Sequence, residues 1–183
     1  GAFYGPQPRP AASSSASALP CPYNSRQQVG HFLYVLDGAN QQILVLNSNR
    51  MQVLETLQVR GASKMSMSPN LKRLAVTNFV SGTVTFVDTD PLSNKFHTII
   101  GQTKASSGAS EMAWEPEGED LLVLNRRANS MSIINGADLT LRKTVISRIN
   151  DPIDIVVTAR QQGIGWQSGV YFAYVLNRNG SIA

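Results

Sequence analysis

The chain has 183 residues, enough for one domain with its own core; 42% are apolar but only 15% are charged, against roughly a quarter in an average soluble domain. The net charge is +4, and the Lys and Arg residues stand singly, without the runs and interleaved aromatics of a nucleic-acid site, so no nucleic-acid partner is expected. No apolar run approaches the roughly 18 residues of a membrane-spanning helix, and the single cysteine, Cys21, excludes an internal disulfide and a Cys-based zinc cluster.

Residues 1–28 differ from everything that follows. "GPQPRPAASSSASALPCP" is Pro, Ser and Ala without apolar periodicity, and such a segment buries too little surface to offset its ordering entropy. It reads as an extended arm or linker that contacts another subunit. Cys21 within it reads as an inert thiol or as a bridge to a partner or to a missing part of the chain. The opening "GAFYG" carries no initiator Met and no visible signal peptide, so a processed product or a fragment is expected. A surface poor in charge and rich in Ser, Asn, Gln and Thr points to a periplasmic or extracellular location, with any membrane association made through partners.

From His31 onward, alternation of apolar and polar residues dominates and turn signals recur: "DGAN", "NSNR", "SPN", "VSG", "PEGED", "NGAD", "NRNG". No segment offers an apolar stripe of helical period, so residues 29–183 read as one all-β domain. One phrase appears four times: "LYVLD" (33–37), "LAVTN" (74–78), "LLVLN" (121–125) and "AYVLN" (173–177). Its closing residues, Asp37, Asn78, Asn125 and Asn177, are 41, 47 and 52 residues apart. Between them runs a cycle of four short strands, as in "LAVTN", "TVTFVDT", "KFHTIIG" and "SEMAWEP". Four strands per unit of roughly 40–50 residues predicts β-propeller blades. The longer intervals carry insertions, "GQTKASSGAS" and "ARQQGIGWQSG".

These phrases, with the turn of "MSPNLKRLAVTN" before one of them and "TVTFVDTD" after it, resemble the YVTN-type β-propeller repeat family over residues 31–183. The resemblance implies that the strand before each phrase is the innermost of its blade and that a ring has seven blades. Read so, 63–101 and 110–147 are complete blades. Residues 31–61 supply the second to fourth strands of an earlier blade, and 152–183 the first two strands of a later one. The expected architecture is therefore an incomplete ring of two full and two partial blades. The missing first strand of the opening blade is expected from the far C-terminus, or from a second copy that completes the ring.

No catalytic motif, cofactor signature or metal-binding pattern is present. His31 and His97 sit at strand starts and read as structural or solvated, although histidines hold haem or metals in some related propellers. Glu115, Glu117, Glu119 and Asp120 are dense enough to suggest calcium, but the spacing lacks the alternation of a calcium loop, so a solvated acidic turn is expected. Met65, Met67, Met112, Trp114 and Met131 read as inter-blade packing rather than a cofactor box. The closing Asx residues read as turn-formers that bond backbone two residues on. Placed on blade topology, Arg60, Lys64, Lys104, Arg126, Arg127, Arg148 and Arg178 fall on one loop face. Asp88, Asp90, Glu117, Glu119, Asp120 and Asp138 fall on the other, partly offset by Lys72, Arg73 and Lys95. The basic face is the candidate partner-binding site, for an acidic protein surface or an anionic ligand. The function expected is a non-catalytic scaffold for protein–protein interaction, without cofactor. The alternatives are a fragment of a lactonase-like or haem-bearing propeller whose active residues lie in missing blades, and a surface-layer or assembly subunit tied to neighbours by the arm.

Overall fold

The computed structural model describes residues 25–29, 31–163 and 165–183, and every regular element among them is a β-strand. The first sheet takes β1 (Ser25–Val29), β2 (Phe32–Asp37), β3 (Gln42–Asn47) and β4 (Gln52–Gln58) in that spatial order. The second takes β5 (Ala62–Met67), β6 (Arg73–Asn78), β7 (Thr83–Asp88) and β8 (Ile99–Lys104). The third takes β9 (Ala109–Trp114), β10 (Asp120–Asn125), β11 (Ser130–Asn135) and β12 (Leu141–Val145). All are antiparallel meanders joined by short turns. In the fourth sheet β13 (Pro152–Val157) pairs with β16 (Ala173–Asn177), and the insertion between them forms a hairpin of β14 (Gln161–Gly163) and β15 (Trp166–Val170). The last residues turn back along β16, where Ile182 pairs with Leu176 and the amides and carbonyls of Val175 and Ala183 exchange bonds of 2.9 and 3.0 Å.

The sheets stack as blades. Successive side chains of a strand point to opposite faces, and in the second and third strands of the second and third blades both faces are covered by a neighbouring blade. Tyr34, Leu36, Ile43 and Val45 of the first blade meet Met65, Leu74, Val76 and Val87 of the second. Ala75, Val84 and Phe86 of the second meet Trp114, Leu121 and Val123 of the third. Leu122, Leu124 and Met131 of the third meet Ile155 and Val175 of the fourth. Each buried Leu, Ile or Phe contributes about 1.5–3 kcal/mol, so the stacking supplies the main driving force of the fold. The outermost strands β4, β8 and β12 lie on the rim and are mostly exposed.

The expected meanders at 63–101 and 110–147 are present as complete blades. The blade count differs from the sequence reading. Ser25–Val29 is the innermost strand of the first blade, paired in register from Ser25↔Leu36 to Val29↔Phe32, so three blades are complete and one is partial. Residues 25–28, read as arm, are therefore strand, and the first blade draws its inner strand from neither a distant C-terminus nor a second copy. "SRQQV" holds one apolar residue, so alternation could not reveal it; the strand is made by backbone pairing. The rest of the expected arm, with Cys21, lies outside the described residues.

Candidate functional site: the basic loop face

Antiparallel topology puts two kinds of connection on the same face of the disc: the turns from second to third strand, and the crossings from one blade to the next. All seven predicted basic residues lie there or at strand ends beside it, and the structure shows what each does. Arg126 and Arg178 come from equivalent turns of the third and fourth blades and converge. They converge on a carboxylate: Asp151, from the β12–β13 crossing, takes Arg126 Nη2 at 3.3 Å and Arg178 Nε at 2.5 Å. Those guanidiniums, Arg178 first and Arg126 second, hold the Asp151 carboxyl below the usual carboxylate range. Arg127 is exposed and does not join them; its guanidinium lies over the Phe79 ring of the preceding blade, 4.7 Å from the centroid, a cation–π contact. Lys64 forms an ion pair of 3.3 Å with Glu111 on the innermost strand of the next blade. Lys104 Nζ donates to the Ser81 carbonyl. Arg60 and Arg148 have exposed side chains. A shallow hollow of about 460 Å³ opens among these residues, lined in part by Lys64, Phe79, Glu111 and Arg126.

The face is therefore mixed rather than uniformly basic. Asp151 and Glu111 went uncounted in the sequence reading, although the same topological rule places both on it. The opposite face is mixed too. A cleft of about 570 Å³ between the second and third blades carries Asp88, Asp90, Glu117 and Glu119 together with Lys72, Arg73 and Arg142. Lys72 pairs with Asp90 at 3.2 Å and Arg142 with both oxygens of Asp120 at 2.8 Å. Arg73 reaches across to the carbonyls of Gly136 and Ala137.

The "EPEGED" turn differs from its expected solvated state. Glu115 is 1% exposed, and its carboxylate accepts the amides of Glu117 and Glu119 within its own turn. Among the described residues no group of His, Cys, Asp or Glu is placed to hold a metal ion. Met65, Met112, Trp114 and Met131 lie in or against the inter-blade clusters. Two of the four Asx residues close their turns on backbone, three residues on rather than two: Ser81 N–H donates to Asn78 Oδ1 at 2.9 Å and Asn40 N–H to Asp37 Oδ1 at 3.2 Å. Asn125 instead donates to the Ser130 and Ser132 hydroxyls, and Asn177 Oδ1 accepts from Asn150 N–H. Asn78 and Asn177 also donate to the carbonyls of Arg60 and Arg148, 3.1 and 2.9 Å away, which ties each turn to the crossing that enters its own blade.

The sequence reading missed one constellation. His97 stands in the β7–β8 connection of the second blade, with its side chain 4% exposed. Its Nε2 lies 2.7 Å from Tyr34 Oη, and its Nδ1 2.6 Å from Glu55 Oε2, both on the first blade. A carboxylate on Nδ1 fixes the proton there, so Nε2 accepts from the phenol. Phe96 stacks on the imidazole at 3.7 Å. Tyr34 is completely buried; burial first, and the Glu55 charge second, push its phenol above the ordinary tyrosine range. Tyr34 and His97 are shut away from solvent while the Glu55 side chain stays 47% exposed, and the trio joins the second blade to the first as a latch.

No family model matches the chain, and no curated protein sequence does. Solved structures do. Hydrazine synthase of Kuenenia stuttgartiensis superposes with a TM-score of 0.65 at 17% identity, over 79% of this chain and 41% of that one. A protein from Lactobacillus plantarum gives 0.64 at 18%, over 88% and 53%. The β-propeller domain of Cps50 (Swd1) from Myceliophteria thermophila gives 0.63 at 6%, over 83% and 46%. The fold and these likenesses define a β-propeller, present here as part of a ring. At such identities the likeness concerns fold alone, and the chain spans about half or less of each neighbour's length.

Proposed function

We propose that this chain is a non-catalytic propeller scaffold of YVTN-type repeats, acting outside the cytoplasm in a periplasmic or extracellular assembly, and that its basic loop face receives an acidic protein partner. One observation carries the reading: Arg126, Arg127 and Arg178 project from equivalent turns of consecutive blades, and Arg126 lines a hollow that Lys64 also helps to line. Two of the guanidiniums share a single carboxylate, which leaves excess positive charge on this rim. Guanidiniums held in this way form charge-assisted, often bidentate bonds to an incoming carboxylate. The reading as a fragment of an enzyme rests on fold likeness, hydrazine synthase being an enzyme by name; fold alone does not supply a function.

The test uses poly-L-glutamate as the acidic probe, titrated by fluorescence anisotropy at two salt concentrations. Arg126→Ala, Arg127→Ala and Arg178→Ala together should weaken binding about tenfold, roughly 1.4 kcal/mol, and flatten the salt dependence. Unchanged affinity and slope would remove this face from consideration.

A further inference from the structure

The two ends of the blade stack differ. At one end, Leu33, Val35, Leu44 and Leu46 on the outward face of the first blade are each no more than 9% exposed. At the other, Val156 is 64%, Tyr174 47%, Leu176 36% and Ile182 66% exposed. These four are neighbours on one face of the fourth blade, since Val156 pairs with Tyr174 and Leu176 with Ile182. The repeat identifies what they are for. Tyr174, Leu176 and Ile182 occupy the places of Tyr34, Leu36 and Ile43, because Leu36 pairs with Ile43 as Leu176 does with Ile182. In the first blade those side chains are buried against Met65, Leu74 and Val76 of the next blade; in the third, Leu122 and Leu124 at the same places are buried against the fourth.

Charge follows the same order. Lys64, Glu111 and Asp154 hold equivalent places on successive innermost strands, as the pairings Lys64↔Thr77 and Asp154↔Leu176 indicate. Lys64 is neutralised by Glu111 of the blade after it, whereas Asp154 follows Glu111 with a second carboxylate. A cation from a following blade would complete the alternation.

We propose that the outward face of the fourth blade is a docking surface for one further propeller blade of the kind the second blade exemplifies. That blade brings aliphatic side chains on the approaching face of its inner strands, a cation on its innermost strand opposite Asp154, and a histidine from its outer connection that reaches Tyr174 as His97 reaches Tyr34. A second copy of this chain is a poorer mate, because its first blade has Ser25 rather than a cation at the place of Lys64 and no histidine between β3 and β4.

The experiment appends residues 45–104 to Ala183. Ile182 already stands where Ile43 does, so the graft completes the fourth blade, supplies a second Glu55, and adds a second copy of the second blade with its Lys64 and His97. Against the 183-residue chain, the graft should cut fluorescence of a bound hydrophobic dye about threefold as the exposed patch is covered. Tyr174→Phe should lower the melting temperature of the grafted chain but leave that of the 183-residue chain unchanged, and His97→Ala in the graft alone should abolish that difference. A parallel arm needs no graft: Val156→Asp with Leu176→Asp in the 183-residue chain should reduce dye binding without lowering its melting temperature. Dye binding unaffected by the graft, Tyr174→Phe equally harmless in both chains, a large loss of stability from the two Asp substitutions, or sedimentation of the 183-residue chain as a dimer that binds no dye would each overturn the proposal.

Discussion

Replacing Tyr34 with Phe removes one oxygen and leaves the ring, which is fully buried, in place. The lost group is the donor to His97 Nε2 at 2.7 Å. Because Glu55 keeps the imidazole proton on Nδ1, Nε2 is left as a buried acceptor without a partner. Leaving such a group unsatisfied costs about 1–3 kcal/mol, which in a chain of this size lowers the melting temperature by about 3–8 °C. Urea unfolding at pH 7 should show a lower midpoint with an unchanged slope, since no surface is newly exposed in the native state. Alkaline pH gives an independent reading. The Tyr34 phenol is raised above its unfolded value by burial and by Glu55, so its contribution is fully present below about pH 10 and is lost as pH rises toward the folded value, at up to roughly 1.4 kcal/mol per pH unit. Stability of the unmodified chain should therefore fall more steeply between about pH 10 and 12 than that of the Phe variant. Both keep a residual slope, because burial also raises Tyr171. Equal midpoints at pH 7 and equal alkaline slopes would refute the latch.

Two further substitutions test other parts of the account. Asp151→Ala frees Arg126 and Arg178; it should tighten poly-L-glutamate binding and, because Asp151 sits at φ +44° where Ala is strained, lower the melting temperature at pH 7 by about 2–4 °C. Because Asp151 is held below the usual carboxylate range, the stability it contributes is present above its unfolded value and lost as pH falls, so the unmodified chain should lose slightly more than the Ala variant on acidification, checked by melting curves from pH 6 to about 3. Gly82 has φ +67° and stands where a Cβ would lie 2.3 Å from the Ser106 carbonyl oxygen. Gly82→Ala should therefore cost about 2–3 kcal/mol in urea unfolding, through backbone strain and displacement of the crossing into the third blade.

Much of the architecture was legible before any coordinates. A blade buries its middle strands on both faces, so those strands are written in Leu, Val, Ile and Phe closed by an Asx, and the phrase ending at Asp37, Asn78, Asn125 and Asn177 marks the second strand of every blade. Repetition made that weak local pattern strong, and topology then sorted the loops into two faces without further information. The innermost strand of the first blade left no such trace, because "SRQQV" is held by backbone pairing, which is indifferent to side-chain type.

The sites were another matter. Sequence separation hides the partners of a charge: Arg126 and Arg178 meet at Asp151 only because consecutive blades set equivalent turns side by side. His97 lies 63 residues from Tyr34 and 42 from Glu55, and no spacing rule links positions on different strands of different blades. Periodicity records which face a residue takes, a property of its own strand. Which side chains share a hydrogen bond or a charge is a property of two blades at once, and it is settled only when the stacking of one sheet on the next fixes their mutual register.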